Sequence, residues 1–506
     1  MSREIISARD WPTDLVLDTD TVVVGSGAGG AVVATERALT GERVLVLEEG
    51  PNVPSSLLGK MRPSESVRHV WRDGAFTLAV GLGDSPSINV TMGRCIGGSS
   101  VLTGGVCFRT PEAVLQHWTK GLGLRDYTVR GMESYFEHVE RAIHVEEVPV
   151  EMRSRSTHLF GIGAARMGLD MKPMHRNTIN CNGCGRCNFG CPHEAKTSVD
   201  LSYLPRALAA GAQVFSHCLV ERIIHKNGRA VGVEGRLLNR DGKPGNKLTV
   251  HARRVVVAAG AWHTPLLLRA SKVGHKERVG RHLTLHPGFR LMARFDEPVQ
   301  GWKGAMQSAW VGDLEARGVT LTSLFVPPGI LAAAMPGVGV EHTDRAKQLG
   351  HLAMFGGIVH DDGGGTVHRV PGREPLVTYR MAKKDRRAVS LLLRTMGDAF
   401  FAAGAREIFL PVLGARPQTA DDFRKFDLDS ISATRFECAS QHPMGSAQMG
   451  SRPENSVVDG DGKIWGMEDL YVVDGSIVPT SLGVNPQLSI MAIATRIAQR
   501  MPQARA

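Results

Sequence analysis

No stretch of this chain stays apolar for long enough to span a bilayer, so a membrane-crossing helix is not expected. Residues 1–20 include acids and lack the basic stretch and apolar core of a secretory leader. The expectation is therefore a soluble, cytoplasmic protein. Internal repeats and low-complexity tracts are also missing, which argues against a repeat array or a long disordered segment. Lys and Arg number 60 against 50 Asp and Glu, yet no basic run is interleaved with aromatics. A nucleic-acid partner is accordingly not expected, and the net charge of +10 suits solubility, an acidic partner protein or an anionic membrane face. Cysteine is sparse: of eight, Cys95, Cys107, Cys218 and Cys438 are dispersed and read as small buried apolar side chains. With no leader, a disulfide framework is not the first reading of the other four.

What is present begins with size. A chain of 506 residues exceeds what one hydrophobic core can organise, so two joined domains are expected. Its 58 glycines gather where the backbone must turn tightly or approach a ligand. The first gathering, Gly25-Ser26-Gly27-Ala28-Gly29-Gly30, follows a β-branched strand at 21–24 and opens a helix at 31–39. A second strand at 43–48 ends on Glu48, eighteen residues past Gly30, which completes a βαβ unit. Gly25 permits the turn, Gly27 lets the backbone meet a pyrophosphate, and Gly30 lets helix pack on strand. Ala28 and Gly29 lie at the helix N-terminus, whose free N–H groups suit phosphate. Glu48 would accept hydrogen bonds from an adenosine ribose. These features predict a dinucleotide site without choosing between NAD and FAD.

Strands at 214–224 and 254–260 with a helix at 264–270, then a strand at 470–474 with a helix at 486–501, extend the same rhythm later in the chain. Between them, residues 111–201 and 291–436 lack it, and alternation such as that at 289–295 predicts an antiparallel sheet.

The next glycine cluster is Gly93-Arg94-Cys95-Ile96-Gly97-Gly98-Ser99-Ser100, followed by Gly104-Gly105 and Phe108-Arg109-Thr110-Pro111. It resembles the signature of the glucose–methanol–choline (GMC) oxidoreductase family. Three later segments agree in the family's order. They are Val257-Ala258-Ala259-Gly260 with Thr264-Pro265, Val279-Gly280-Arg281-His282-Leu283 with His286-Pro287, and His442-Pro443-Met444-Gly445 with Asp474-Gly475-Ser476 and Asn485-Pro486. The resemblance selects FAD. It implies an α/β fold with a discontinuous Rossmann-like FAD-binding domain over 1–110, 202–290 and 437–506. The second, α+β substrate domain would take 111–201 and 291–436.

The resemblance also implies roles. Gly93, Gly97, Gly98, Ser99 and Ser100 would run against the flavin, Val220 against the adenine, and Asp474 and Gly475 toward the ribityl and pyrophosphate. Thr103 departs from the asparagine many members carry. His442 matches the active-site histidine and Asn485 its partner. The bare sequence gives Asn485 a second reading: an N-cap, with Pro486 at N1, before the apolar positions Leu488, Met491, Ala494 and Ile497. That helix would aim its positive end at the flavin.

Cys181, Cys184, Cys187 and Cys191-Pro192 form CxxCxxCxxxCP within eleven residues, the spacing that wraps an iron–sulfur cluster in bacterial ferredoxins. A [4Fe–4S] or [3Fe–4S] cluster is the leading reading, with zinc and free or disulfide-bonded thiols as alternatives. A related segment running into Ala195-Lys196 and Tyr203-Leu204-Pro205 is implied by the resemblance to the family's bacterial alcohol oxidases and dehydrogenases.

The expected activity is oxidation of an alcohol to an aldehyde or ketone, with His442 as base and hydride passing to flavin N5. Electrons would pass on through the cluster to an acceptor protein or quinone. The alternatives are an electron-transfer flavoprotein subunit, or an oxygen-using alcohol oxidase with structural zinc or no metal. Apolar segments at 324–326, 330–331 and 354–355 favour a hydrophobic alcohol if they line the pocket, and suit the core equally.

Overall fold

A computed structural model describes residues 4–504. Two sheets organise them. In the first, Leu15–Val24 lies parallel to Val44–Leu47 on one side and to Pro244–Val257 on the other. The paired segments Val22–Val24 and Val44–Leu47 are buried on both faces, as a parallel strand under helices must be. Ala28–Leu39 makes the crossover, and the C-terminal helix Gln487–Arg500 packs beside it. Gln213–Ser216 joins outside Val44–Leu47, while Leu470–Val472 lies parallel to the end of Pro244–Val257. Three distant parts of the chain thus share one sheet, which is what a discontinuous Rossmann-like domain requires.

Local chemistry moved several boundaries. The single strand expected at 214–224 is two, Gln213–Ser216 and Cys218–Lys226, broken at His217, whose φ of 63° cannot continue a strand. The second of these makes an antiparallel ladder with Arg229–Leu238, which in turn pairs with Pro244–Val257. The helix expected from 264 starts four residues earlier, as Gly260–Ala270, with Pro265 inside it. Proline has no N–H for the carbonyl of Ala261, one turn back, and that oxygen instead accepts the Ser446 hydroxyl at 2.6 Å.

The second sheet has eleven strands and mixed orientation. Gly288–Arg294, at its centre, pairs antiparallel with Leu352–Val359. Helices Arg155–Arg166 and Lys383–Ala402 cover this region, where Phe160 stacks on Phe355 at 3.7 Å and meets Phe400 edge-on. Leu78–Gly81 and Ile88–Val90, from residues 1–110, and Cys438–Ser440, from 437–506, pair in this sheet. They contribute its two parallel pairings, Leu376–Tyr379 with Leu78–Gly81 and Cys438–Ser440 with Ile88–Val90. The last strand brings the chain to His442.

Candidate active site

The first glycine turn is fixed by close approach. A Cβ on Gly25, which has φ 102°, would lie 2.3 Å from the Ala258 carbonyl oxygen. One on Gly29 would lie 2.0 Å from that of Val473, and one on Gly30 2.0 Å from that of Gly25. No side chain fits at these positions, so the helix N-terminus sits directly on the strand ends. The second glycine turn meets the first: a Cβ on Gly98 would stand 2.9 Å from Gly27 Cα. Ser26 stitches the two turns, accepting the Gly97 N–H at 3.0 Å and donating to Glu48 Oε2 at 2.7 Å. Glu48 also accepts the backbone N–H of Ser26 and, through Oε1, of Gly50.

These turns open into a cavity of about 530 Å³. It is lined by every residue expected around the cofactor except Gly30, Gly97 and Asn485, and His442 lines it as well. Gly30 and Gly97 shape the turns from behind. Asp474 faces the cavity, but both its oxygens are engaged: Oδ2 accepts the Gly260 N–H at 2.9 Å and the Thr264 hydroxyl at 2.6 Å, and Oδ1 the Ser476 N–H at 2.7 Å. Burial raises its pKa. Asp474 therefore pins the start of Gly260–Ala270 to the C-terminal strand, holding that wall in place.

His442 follows Cys438–Ser440, and its backbone N–H donates to Ser440 Oγ at 3.0 Å. The Asn485 carboxamide lies 3.0 Å from His442 Nε2. Asn485 does not cap the C-terminal helix: that helix begins at Gln487, Pro486 occupies the cap position, and no side chain caps it. The side chain turns to His442 instead, so the capping expectation is corrected. Burial alone pushes the His442 pKa down to about 4, which leaves the ring neutral at ordinary pH.

His286, which the sequence marked only as part of a motif, stands behind it. The two Nδ1 atoms are 3.3 Å apart with the rings nearly perpendicular. His286 Nε2 accepts the backbone N–H of Leu482 and of Gly483, both at 3.1 Å, tying it to the turn before Asn485. Asp361 in turn accepts the backbone N–H of Leu285 and His286 at 3.0 Å each and the Tyr379 hydroxyl at 3.2 Å. Each of these partners lies far from His442 in the chain, so no local spacing could have revealed them.

The cysteine loop lies apart from the large cavity. Cys181, Cys184, Cys187 and Cys191 line one small cavity of about 10 Å³ together with Arg176 and Lys196. Cys187 and Cys191 are buried, Cys181 is half-buried and Cys184 is exposed. Among the described residues no three His, Cys, Asp or Glu side chains are gathered closely enough to hold a metal ion. The spacing brings the thiols to one pocket without closing them on a centre.

Residues 19–288 match one family model described as GMC oxidoreductase and residues 366–494 another with the same description. The chain belongs to the GMC oxidoreductase family. It is similar to an uncharacterized GMC-type oxidoreductase of Mycobacterium tuberculosis, 39% identical over 98% of this chain and 77% of that one. It is also similar to a long-chain-alcohol oxidase of Arabidopsis thaliana, 27% identical over 96% of this chain and 67% of that one. Among solved structures, pyridoxine 4-oxidase from Mesorbium loti shares the fold with a TM-score of 0.72 and 18% identity, over 95% of this chain and 99% of the other.

As a GMC oxidoreductase the protein is a flavoprotein, and the glycine turns and Glu48 fit FAD. Two features of this GMC oxidoreductase lay outside sequence reasoning. One is a charged wall of the cavity, where Arg72 bridges Glu49 at 2.7 Å and Glu374 at 3.1 Å, and Glu374 also meets His263 at 2.9 Å. Burial pushes the Glu374 carboxyl up, but the hydrogen bond from His263 and the charges of His263, Arg72 and Arg373 outweigh it and bring it to about 2. The other settles the apolar segments, which suited a pocket or the core, as core. Phe325, Leu331, Met354 and Phe355 are at most 4% exposed, belong to two core clusters and do not line the cavity.

Proposed function

We propose that this GMC oxidoreductase oxidises a hydrophobic alcohol to an aldehyde or ketone, with His442 taking the hydroxyl proton as the carbon-bound hydride leaves. The reading is carried by one observation: His442 and Asn485, 43 residues apart, meet at 3.0 Å beside the cavity that the glycine turns open. FAD, when bound, supplies the acceptor for the hydride. Glu48 would hold its ribose, and the N-terminus of Ala28–Leu39 its pyrophosphate.

The chain's own residues do the rest. Asn485 holds the substrate oxygen against His442 Nε2. His442, uncharged through burial, is in the charge state that can accept a proton. Asp361 and the Leu482–Gly483 backbone fix His286, and His286 fixes the ring behind. The hydrophobic substrate class is supported by the long-chain-alcohol oxidase relative. The spacing of Cys181, Cys184, Cys187 and Cys191 would suit an iron–sulfur cluster, which would supply one-electron transfer to a protein or quinone acceptor.

The test is a stopped-flow screen under anaerobic conditions, in which long-chain, aryl, terpenoid and sugar alcohols are mixed with the oxidised enzyme. Bleaching of the flavin absorbance by long-chain or other apolar alcohols is expected. A flavin that no alcohol bleaches would overturn the reading.

A further inference from the structure

Where a sheet face meets water, its side chains are ordinarily polar. From Phe76 to Leu82 they are not. Phe76 is 79% exposed, and Leu78, Val80, Leu82 and, on the neighbouring strand, Leu376 are between 37% and 44% exposed. The intervening Ala79 and Val377 are buried in the core, so these strands already turn one apolar side inward. The parallel pairing of Leu376–Tyr379 with Leu78–Gly81 sets Val377 opposite Ala79, which brings Leu376 beside Leu78 on the outer face. Thr378 and His368, bonded at 3.0 Å, continue that face. Phe76 ends the row. The chain before it passes through the left-handed region at Asp73 and Ala75, with φ of 45° and 64°, while Arg72 is pinned to Glu49 and Glu374. A contiguous apolar surface of this kind is an interaction site by its chemistry.

Three exposed arginines border the patch. Arg380 reaches the turn at Gly83, where a Cβ would stand 3.4 Å from its Nη1; Arg369 follows His368; and Arg281 lies in the electrostatic field of His368. Among the described residues none of the three is paired with a carboxylate. The nearby acids are engaged: Asp84 accepts the Ser432 hydroxyl at 2.8 Å and the Ala433 N–H at 2.7 Å, Glu374 is held by Arg72 and His263, and Asp73 lies in the field of Arg72 and Arg94. We infer that this face rests on a membrane surface containing anionic lipid, with Phe76 and its apolar neighbours entering the acyl boundary and the arginines meeting headgroup phosphates. No helix among the described residues is long and apolar enough to cross a membrane, so the attachment is to one side of it. A second copy would set the same arginines against each other across a two-fold axis, which like charge opposes. A folded acidic partner would have to place a carboxylate at each separate arginine, whereas lipid headgroups move to meet them. Arg72, Arg369 and Glu374, in the two segments that carry the patch, line the large cavity, so the attached face adjoins its wall. A hydrophobic alcohol dissolved in the bilayer would then reach the site without crossing water. That use of the surface rests on the function proposed above; the attachment does not.

The experiment co-sediments the FAD-loaded protein with vesicles of phosphatidylcholine, alone or mixed with phosphatidylglycerol. Wild type is expected to bind the mixed vesicles, less so as salt is raised, and to bind the neutral ones about 100-fold more weakly, the combined worth of three arginines near an anionic surface. Phe76→Ser should weaken binding to mixed vesicles about 10- to 100-fold, the worth of burying one large apolar side chain, and Arg380→Gln about fivefold. Both side chains are exposed, so neither change should disturb the fold. Val16→Ser, at an exposed apolar position near the far end of the strand that leads to the first glycine turn, should bind as wild type does. Phe76→Ser should oxidise a bilayer-dissolved long-chain alcohol more slowly and a water-soluble alcohol at the wild-type rate. Failure of every alcohol to reduce the flavin would overturn the proposed function and leave the binding result standing. Absence of binding to mixed vesicles, binding that Phe76→Ser leaves unchanged, or a dimer in solution that Phe76→Ser dissociates would overturn the inference.

Discussion

Replacing His442 by Ala tests the site most directly, and the geometry sets how large the effect should be. The substitution removes the ring that meets Asn485 and His286 but keeps the backbone N–H that donates to Ser440. None of these contacts belongs to the glycine turns or Glu48, so FAD should remain bound. Losing a positioned general base slows its step by about two to four orders of magnitude, or about 3–5 kcal/mol of barrier. The pH dependence adds a second signature. The base must be unprotonated, and burial lowers its pKa from 6.5 to about 4, so the proton-free form persists down to that pH. Wild-type flavin reduction should therefore be level from about pH 5 upward and fall about tenfold per unit below about pH 4. The assay is stopped-flow reduction by a saturating alcohol, without oxygen, across that range. Undiminished reduction in His442→Ala would refute the assignment. A wild-type inflection near pH 6.5 would show that the ring titrates as if it were in water.

Other substitutions probe the surroundings. Glu48→Gln removes the charge that accepts from Ser26 and Gly50, so FAD should be retained more weakly, with turnover recovering in excess FAD; full occupancy with collapsed turnover would misplace the residue. Gly29→Ala puts a methyl 2.0 Å from the Val473 carbonyl oxygen and should yield chain that is unstable or free of flavin, as seen in purified yield and flavin content.

What the sequence made legible was local. The fingerprint from Gly25 to Glu48 sits in consecutive elements whose order along the chain is their order in space. His442 and Asn485 were readable because each lies in a short motif of its own, although nothing in their spacing shows that they touch. His286 and Asp361 act through contacts that local periodicity does not encode, and the wall of Arg72, Glu49 and Glu374 joins segments 302 residues apart. Leu78–Gly81 and Ile88–Val90 could not be assigned to a sheet from sequence, because four and three residues carry too little alternation to name a partner. The apolar segments around Phe325 and Phe355 failed as pocket markers for a related reason: a core and a substrate pocket call for the same side chains.

Pro265 gives the molecule a break that serves as a joint. By the rules of helix stability it is a fault, and replacing it with alanine is a change that a stabilisation campaign would try first. Yet the carbonyl it frees on Ala261 accepts the hydroxyl of Ser446, four residues beyond His442. Restoring the helical hydrogen bond would make that oxygen serve two donors. The loop that carries His442 would then lose some of its grip on the helix that forms one wall of the cavity. Pro265→Ala is thus a substitution in which greater helix stability and a correctly seated His442 work against each other.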